Sequence, residues 1–170
     1  AKINGSLADV TAALDGAGIE WSVFDEVEEN PSLETIKRAA DKGVAEGADF
    51  VIGIGGGSPM DAAKGASFLI ANPDKEPEAL MAAEPLKHVP VAEVATTAGT
   101  GSEATQFTVI TDSEKDIKML LKGTVLIPDI AVVDGELTKS SPKGITASTA
   151  LDALTHAVEA YTSKKAQPLT

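Results

Sequence analysis

Hydrophobic residues in the first 70 positions switch between helical and strand-like spacing. Apolar and alanine positions recur at helical intervals over 6–17 and 32–46, which predicts two helices. Residues 20–24 predict a short strand between them, and 49–70 predict a strand, a glycine turn and a third helix. Strands that alternate with helices of this length are typical of parallel sheets joined by right-handed crossovers.

The rest of the pattern predicts further strands and then a change to helix. Residues 89–95 predict a short apolar strand, and 107–110 with 117–121 predict a hairpin around a polar turn. A last buried strand is expected over 130–133, and a helix from about 142 to 161. The predicted fold class is therefore α/β: a doubly wound, mainly parallel, Rossmann-like sheet with a β-hairpin, followed by the start of an all-helical domain.

A glycine-rich run joins one predicted strand to a helix: Gly53-Ile54-Gly55-Gly56-Gly57-Ser58-Pro59-Met60-Asp61. Glycines let backbone N–H groups approach an anion, and a helix N-terminus adds unsatisfied donors with partial positive charge. Ser58 is expected as N-cap, Pro59 as the first helical residue and Asp61 as the partner that completes a capping box. The run does not match G-x-G-x-x-G, so a purely structural turn stays the alternative to a phosphate loop. A second loop rich in glycine and hydroxyl groups, 96–103, would lie at the same edge of the sheet.

Composition narrows the partners that the chain could bind. Its 170 residues are 43% hydrophobic, enough for a core, and the formal net charge of −12 repels nucleic acids and anionic membranes. The chain has no cysteine, so a metal site would use His, Asp, Glu or water. No apolar run approaches the roughly 20 residues of a membrane span, and the first residues lack the plan of a signal peptide. We expect a cytoplasmic protein that binds neither nucleic acids nor membranes.

Asp152 and His156 are the second candidate for chemistry. They are four residues apart on a predicted helix, which places a carboxylate and an imidazole on one face. The pair could share a divalent cation, but Zn²⁺ or Fe²⁺ takes three or four protein ligands, and a surface ion pair is the alternative. His88 lies in a polar connection and is expected to be solvated. Lys64 could contact a phosphate and Lys118 a ribose hydroxyl, with a solvated surface charge as the alternative for each.

Three motifs in order resemble the iron-containing alcohol dehydrogenase family: Gly55-Gly56-Gly57-Ser58-Pro59-Met60-Asp61-Ala62-Ala63-Lys64, Thr96-Thr97-Ala98-Gly99-Thr100-Gly101-Ser102-Glu103 and Asp152-Ala153-Leu154-Thr155-His156-Ala157-Val158-Glu159. In that family an N-terminal α/β domain binds NAD or NADP, and a C-terminal all-helical domain carries the metal. The resemblance implies that 1–140 is the dinucleotide-binding domain without its first strand. It also implies that 141–170 is the beginning of a truncated helical metal-binding domain.

The family's functional positions carry over onto matching residues of this chain. Cofactor binding is implied for Asn30, Gly56, Gly57, Ser58, Asp61, Thr96, Thr97 and Lys118. Asp152 and His156 match two ligands of the metal, Fe²⁺ or alternatively Zn²⁺, and no catalytic residue is expected beyond the metal ligands. Two further histidines of the family come from later in its helical domain. The chain departs from the family at Ala150-Leu151, commonly Gly-Met or Gly-Val, and at Gly123-Thr124, commonly Asp-Pro.

The resemblance implies an oxidoreductase that interconverts a primary alcohol and an aldehyde by metal-assisted hydride transfer with NAD or NADP. Its substrates would be small alcohols or aldehydes, and its assembly a homo-oligomer. Two alternatives stay open. One is an NAD- and zinc-dependent enzyme resembling dehydroquinate synthase or glycerol dehydrogenase. The other is a nucleotide-binding module that has no activity as the chain stands.

Overall fold

The structure is a computed structural model that describes residues 5–77, 79 and 86–168. Its helices and strands in those ranges are, in chain order, α1 Ser6–Gly16, α2 Leu33–Glu46, β1 Val51–Gly55, α3 Gly57–Ala71, β2 Val91–Ala95, β3 Phe107–Asp112, β4 Ile117–Lys122, β5 Ile130–Val132 and α4 Lys143–Thr162. Short 3₁₀ turns lie at Ser102–Ala104, Thr124–Leu126 and Gly135–Thr138. None of the helices in the described ranges is long and apolar enough to cross a lipid bilayer.

Strands β1, β2 and β5 form a parallel sheet with β2 in the centre. Strand β1 pairs with β2 from Val51 opposite Val91 to Gly55 opposite Ala95, and β5 pairs with the middle of β2. Helix α3 connects β1 to β2 and packs against both strands. The parallel sheet with its helical connection confirms the predicted α/β class.

The predicted hairpin is also confirmed. Strands β3 and β4 pair antiparallel, from Phe107 opposite Lys122 to Asp112 opposite Ile117. The hairpin packs on α3, and α2 packs on α3 as well. A cluster of buried hydrophobic residues joins these elements and includes Ile36, Ala40, Ala62, Ala66, Phe68, Leu69, Ile110, Leu121 and Leu126.

Local sequence explains where helix α2 begins and ends. Ser32 is its N-cap, and the Ser32 hydroxyl accepts a hydrogen bond from the Thr35 N–H at 3.2 Å. Gly47 ends the helix in the left-handed conformation, at a φ of 69°. The buried side of the helix carries Ile36 and Ala40 into the core. Both ends of the predicted helix are therefore confirmed.

Helix α3 begins earlier than predicted. Gly56 is its N-cap and has no side chain to cap the helix, so the first turn starts at the next residue. Ser58 and Pro59 therefore lie inside the first turn, and the predicted capping box is wrong. Asp61 is buried, and its carboxylate accepts the backbone N–H of Val109 in the hairpin at 2.8 Å. Because that strand N–H needs a buried acceptor, Asp61 serves the hairpin and does not cap the helix.

Two strand predictions differ from the structure. Residues 20–24 are not a strand, because a strand needs a hydrogen-bonded neighbour and none pairs with them in the described part of the chain. Strand β5 forms, but it is not buried as predicted: the side chains of Ile130 and Val132 are exposed at the edge of the sheet. Helix α4 likewise has no buried residue against the described elements.

Candidate functional site

The carboxyl ends of β1 and β2 meet at the N-terminus of α3, which we call the glycine corner (Gly55, Gly56 and Gly57). Gly55 has a φ of +149°, a conformation that residues with a side chain rarely adopt. A Cβ on Gly56 would lie 3.2 Å from the Thr97 Oγ1, and one on Gly57 would lie 3.2 Å from the Thr100 Cγ2. The glycines therefore leave the first N–H groups of α3 uncovered by side chains of their own, as an anion site at a helix N-terminus requires.

The loop after β2 supplies a buried hydroxyl to this corner. The Oγ1 of Thr97 is buried and has no hydrogen-bond partner within the described residues. Thr96 holds the loop in place, because its N–H donates to the Gly55 carbonyl at 2.8 Å and its own carbonyl accepts from the Ser141 Oγ at 3.2 Å. An unsatisfied buried hydroxyl costs roughly 1–3 kcal/mol, so a ligand oxygen bonded to Thr97 would remove that penalty. The corner thus fits a phosphate group.

Asn30 joins two other predicted site residues, Ser58 and Lys118, into one polar cluster beside the corner. Its N–H donates to the Ser58 Oγ at 3.1 Å, and its Oδ1 accepts from the Lys118 Nζ at 2.7 Å. Its carbonyl accepts from the Thr111 Oγ1 at 3.2 Å, which ties the cluster to the hairpin. The φ of Asn30 is 57°, a left-handed value that asparagine tolerates better than most residues. An amide, a hydroxyl and an ammonium group are therefore presented together to a polar ligand.

Asp61 lies beneath the corner, between α3 and the hairpin. Besides the bond from Val109, its backbone carbonyl accepts the Thr108 Oγ1 at 2.8 Å. Burial raises the pKa of Asp61, and the Val109 N–H and the Lys64 ammonium oppose that rise. These contacts suit a residue that supports the turn.

Lys64 is neither a phosphate contact nor a solvated charge. The side chain is only 1% exposed, so both interpretations of the sequence are wrong. Its ammonium donates to the backbone carbonyls of Ser102, Thr105 and Phe107, the last two at 3.0 Å. The sequence pattern did not indicate this role, because the acceptors lie 38 to 43 residues further along the chain.

Glu93 is a buried acid in the central strand that the sequence pattern also did not indicate. Its side chain is fully buried, and neither carboxylate oxygen has a hydrogen-bond partner in the part of the chain that the structure describes. Burial raises the pKa of Glu93 to about 8, although the nearby Lys64 ammonium opposes the rise. Burial therefore favours the protonated, neutral form of this carboxyl. An acidic residue inside an otherwise apolar strand was the signal that could have found it.

Helix α4 places the predicted metal ligands side by side. The Nε2 of His156 lies 3.7 Å from the Oδ1 of Asp152, and both side chains are about half exposed. A carboxylate and an imidazole are suitable donors for Fe²⁺ or Zn²⁺, but a complete site needs three or four. Within residues 5–77, 79 and 86–168 no group of three or more His, Cys, Asp or Glu side chains could hold a metal.

One loop contacts both the corner and helix α4. Gly99 lies so close to the backbone carbonyl of Thr149 that a Cβ at this position could not be accommodated without movement. Thr149 is one turn before Asp152 on α4. The loop that carries Thr97 to the glycine corner therefore also contacts the helix of the candidate metal ligands.

His88 lies at the opposite, N-terminal ends of the strands. Its Nε2 is 3.3 Å from the Oδ2 of Asp129, which also accepts the Val91 N–H at 2.8 Å. The side chain of His88 is 26% exposed, so it is less solvated than expected. Its position separates it from the candidate site.

A parallel sheet with a helical crossover and a glycine turn at the carboxyl end of a strand is typical of the doubly wound α/β class. A sequence profile described as iron-containing alcohol dehydrogenase matches residues 1–135 of this chain. The chain belongs to the iron-containing alcohol dehydrogenase family, which confirms the resemblance seen in its three motifs.

Similar proteins agree with this assignment. Lactaldehyde reductase of Escherichia coli (strain K12) is 37% identical over 169 residues, covering 98% of this chain and 44% of that protein. The crystal structure of the iron-containing alcohol dehydrogenase of Thermotoga maritima matches with a TM-score of 0.91 and 44% identity, over 99% of this chain and 46% of that one. The crystal structure of sulfoacetaldehyde reductase from Bifidobacterium kashiwanohense, in complex with NAD⁺, matches with a TM-score of 0.87 and 35% identity. The match covers 96% of this chain and 44% of that one. The chain spans less than half the length of these relatives.

Proposed function

We propose that this chain binds NAD or NADP at the glycine corner, and that the enzyme to which it belongs interconverts a primary alcohol and an aldehyde. The observation that carries the proposal is the N-terminus of α3, free of side chains on Gly56 and Gly57, beside the buried hydroxyl of Thr97, which has no hydrogen-bond partner among the described residues. The net charge of −12 repels a diphosphate, so local donors must hold it. The NAD⁺ complex of one solved relative supports the same interpretation.

Different residues around the corner would bind different parts of the cofactor. The backbone N–H groups of Gly56 and Gly57, with the hydroxyl of Thr97, would bind the diphosphate, and Thr96 would hold the loop against β1. Asn30, Ser58 and Lys118 would contact the sugar or the adenosine part, and Asp61 would support the turn. The nicotinamide, when bound, donates or accepts the hydride.

Asp152 and His156 would hold Fe²⁺, or alternatively Zn²⁺, together with further ligands. Such a cation, when bound, supplies a Lewis acid that polarises an alcohol or carbonyl oxygen. The contribution of this chain is placement, because the contact of Gly99 with α4 sets the position of the ligand pair relative to the corner. We accordingly propose that 1–140 is the cofactor domain and that 141–170 begins the helical metal domain.

A second candidate function is favoured by the incomplete ligand set. The described residues offer two metal donors, and a catalytic site needs at least three. The 170 residues would then bind the nucleotide without turning over a substrate. Comparison of nucleotide binding with turnover in the same preparation separates the two candidates.

Nucleotide binding is tested with two matched variants. Calorimetric titration with ADP-ribose, which carries the same diphosphate, should show binding by the wild-type chain and at least about tenfold weaker binding by Gly57→Val, whose side chain would press on Thr100. His156→Ala is the control and should bind ADP-ribose as the wild type does. If the wild-type chain does not bind ADP-ribose, the proposed site is wrong.

Turnover is tested by oxidation of NADH and NADPH with short aldehydes, beside phosphorylated and polyol substrates, with Fe²⁺ or Zn²⁺ present. Activity with simple aldehydes supports the alcohol dehydrogenase, whereas activity restricted to the other substrates supports the enzymes that resemble dehydroquinate synthase or glycerol dehydrogenase. Where activity is found, His156→Ala should abolish it while leaving nucleotide binding intact. Full activity in that variant would contradict the metal assignment.

A further inference from the structure

The ammonium group of Lys64 is fully occupied by one segment of the chain. An ammonium has three N–H donors, and the acceptors are the carbonyls of Ser102, Thr105 and Phe107, with the Thr105 Oγ1 at 3.3 Å as an additional acceptor. All of them lie in residues 102–107, which we call the tethered segment. Lys64 itself lies on α3, two turns after Gly57, about 10 Å along the helix axis.

The tethered segment continues directly from the loop that forms one wall of the glycine corner. The side chain of Thr97 lies against Gly56, and the side chain of Thr100 lies against Gly57. The hydroxyl of Thr100 also accepts the N–H of Ser102 at 3.4 Å, so Thr100 is bonded to the tethered segment. The loop is therefore fixed at one end by strand β2 and at the other end by Lys64.

The burial of a lysine at this point needs an explanation, because an ammonium removed from water is unfavourable unless it is well bonded. Burial lowers the pKa of Lys64, and the carboxyl groups of Glu93, Asp61 and Glu103 oppose that fall. The carbonyl acceptors favour the charged form. Glu93 forms none of these hydrogen bonds within the described residues. Lys64 supplies most of the hydrogen bonds between α3 and this segment, and the Asp61 side chain adds one with the Ser102 side chain.

We propose that Lys64 is a positioning residue for the cofactor: it fastens residues 102–107 to α3 and thereby holds Thr97 and Thr100 at the glycine corner. The inference rests on the proposed function, since it requires that the corner bind a nucleotide diphosphate. Lys64 would not touch the nucleotide itself, because its donors are used on backbone oxygens.

Lys64→Met tests the proposal, because methionine keeps most of the length of the side chain and removes the ammonium. We expect at least about a tenfold weaker Kd for ADP-ribose. Amide hydrogen exchange should become faster over 96–107 and stay unchanged in α2. The matched control is Glu93→Gln, which alters a neighbouring buried group and leaves the bonds of Lys64 intact. This control should bind ADP-ribose like the wild type.

A second measurement needs no variant and decides the question if Lys64→Met does not fold. In the wild-type chain, ADP-ribose should slow amide exchange in the tethered segment as well as at the corner, because the two are held as one unit. Protection confined to the corner would contradict the proposal. A folded Lys64→Met protein with an unchanged Kd for ADP-ribose would overturn the role of Lys64 and leave the proposed function standing. Absence of ADP-ribose binding by the wild type would overturn both the proposed function and this inference.

Discussion

Replacement of Glu93 by glutamine should change how the stability of the protein depends on pH. Glu93 lies in the central strand, opposite Gly53 and Ala131, and is fully buried. Burial raises its pKa from 4.5 to about 8. In the unfolded chain the carboxyl loses its proton near pH 4.5, so between those two values the folded protein holds a proton that the unfolded chain does not.

The size of the effect follows from the pKa difference. Because the pKa of the folded protein is the higher one, the stabilisation by Glu93 is complete below pH 4.5 and is lost as the pH rises to about 8. Each pKa unit corresponds to about 1.4 kcal/mol, so the complete loss is on the order of 5 kcal/mol. Between about pH 6 and pH 8, the free energy of unfolding should fall by about 2 to 3 kcal/mol.

Urea unfolding followed by circular dichroism, at several pH values between about 6 and 8, measures this decline. Glutamine has the shape of the neutral acid and does not titrate. The free energy of unfolding of Glu93→Gln should therefore not show this decline, and the variant should become more stable relative to the wild type as the pH rises. Glu114→Gln, an exposed change in the hairpin turn, is the control and should keep the wild-type slope. Parallel curves for the wild type and Glu93→Gln would refute the assignment of a buried neutral acid.

Two further changes test other parts of the structure. Gly99→Ala should destabilise the protein by about 1–3 kcal/mol in thermal or urea unfolding, because the added Cβ would overlap the carbonyl of Thr149; Gly135→Ala, which meets open space, is the control and should be nearly neutral. Glu28→Gln should lower stability at neutral pH but not in strong acid. Desolvation alone would raise the pKa of Glu28, yet hydrogen bonds from Ser32 and Thr35 outweigh it and lower the pKa to about 2. That stabilisation is present above pH 4.5 and lost as the pH falls towards 2, so unfolding curves that differ equally at all pH values would contradict the prediction.

Much of the fold could be predicted from the sequence where its cause is local. Helix α2 begins at Ser32 and ends at Gly47 because a capping hydroxyl and a left-handed glycine act within a few residues. The hairpin and the central strand β2 follow from short apolar runs between turn residues. In the candidate site, the glycine corner and the spacing of Asp152 and His156 were local signals of the same kind.

The remaining features depend on distant parts of the chain. Residues 20–24 have the composition of a strand but no partner in the described ranges, and pairing is not a local property. Asp61 has the spacing of a capping residue, but its carboxylate accepts a hydrogen bond from the N–H of Val109, 48 residues away in the sequence. Lys64 has the local sequence of a surface residue, but residues 102–107 cover it in the tertiary structure. Each of these interactions forms only when the tertiary structure brings distant residues together.

The contact between Gly99 and Thr149 has a consequence for protein engineering. The polypeptide between the second and third strands touches both the proposed coenzyme site and the helix of the proposed metal ligands. A substitution chosen there to alter coenzyme preference should therefore also shift the helix bearing Asp152. Changes in coenzyme choice should therefore be sought around Asn30 and Lys118, whose side-chain and backbone hydrogen bonds in the described part of the chain join them to Ser58, Thr111 and each other.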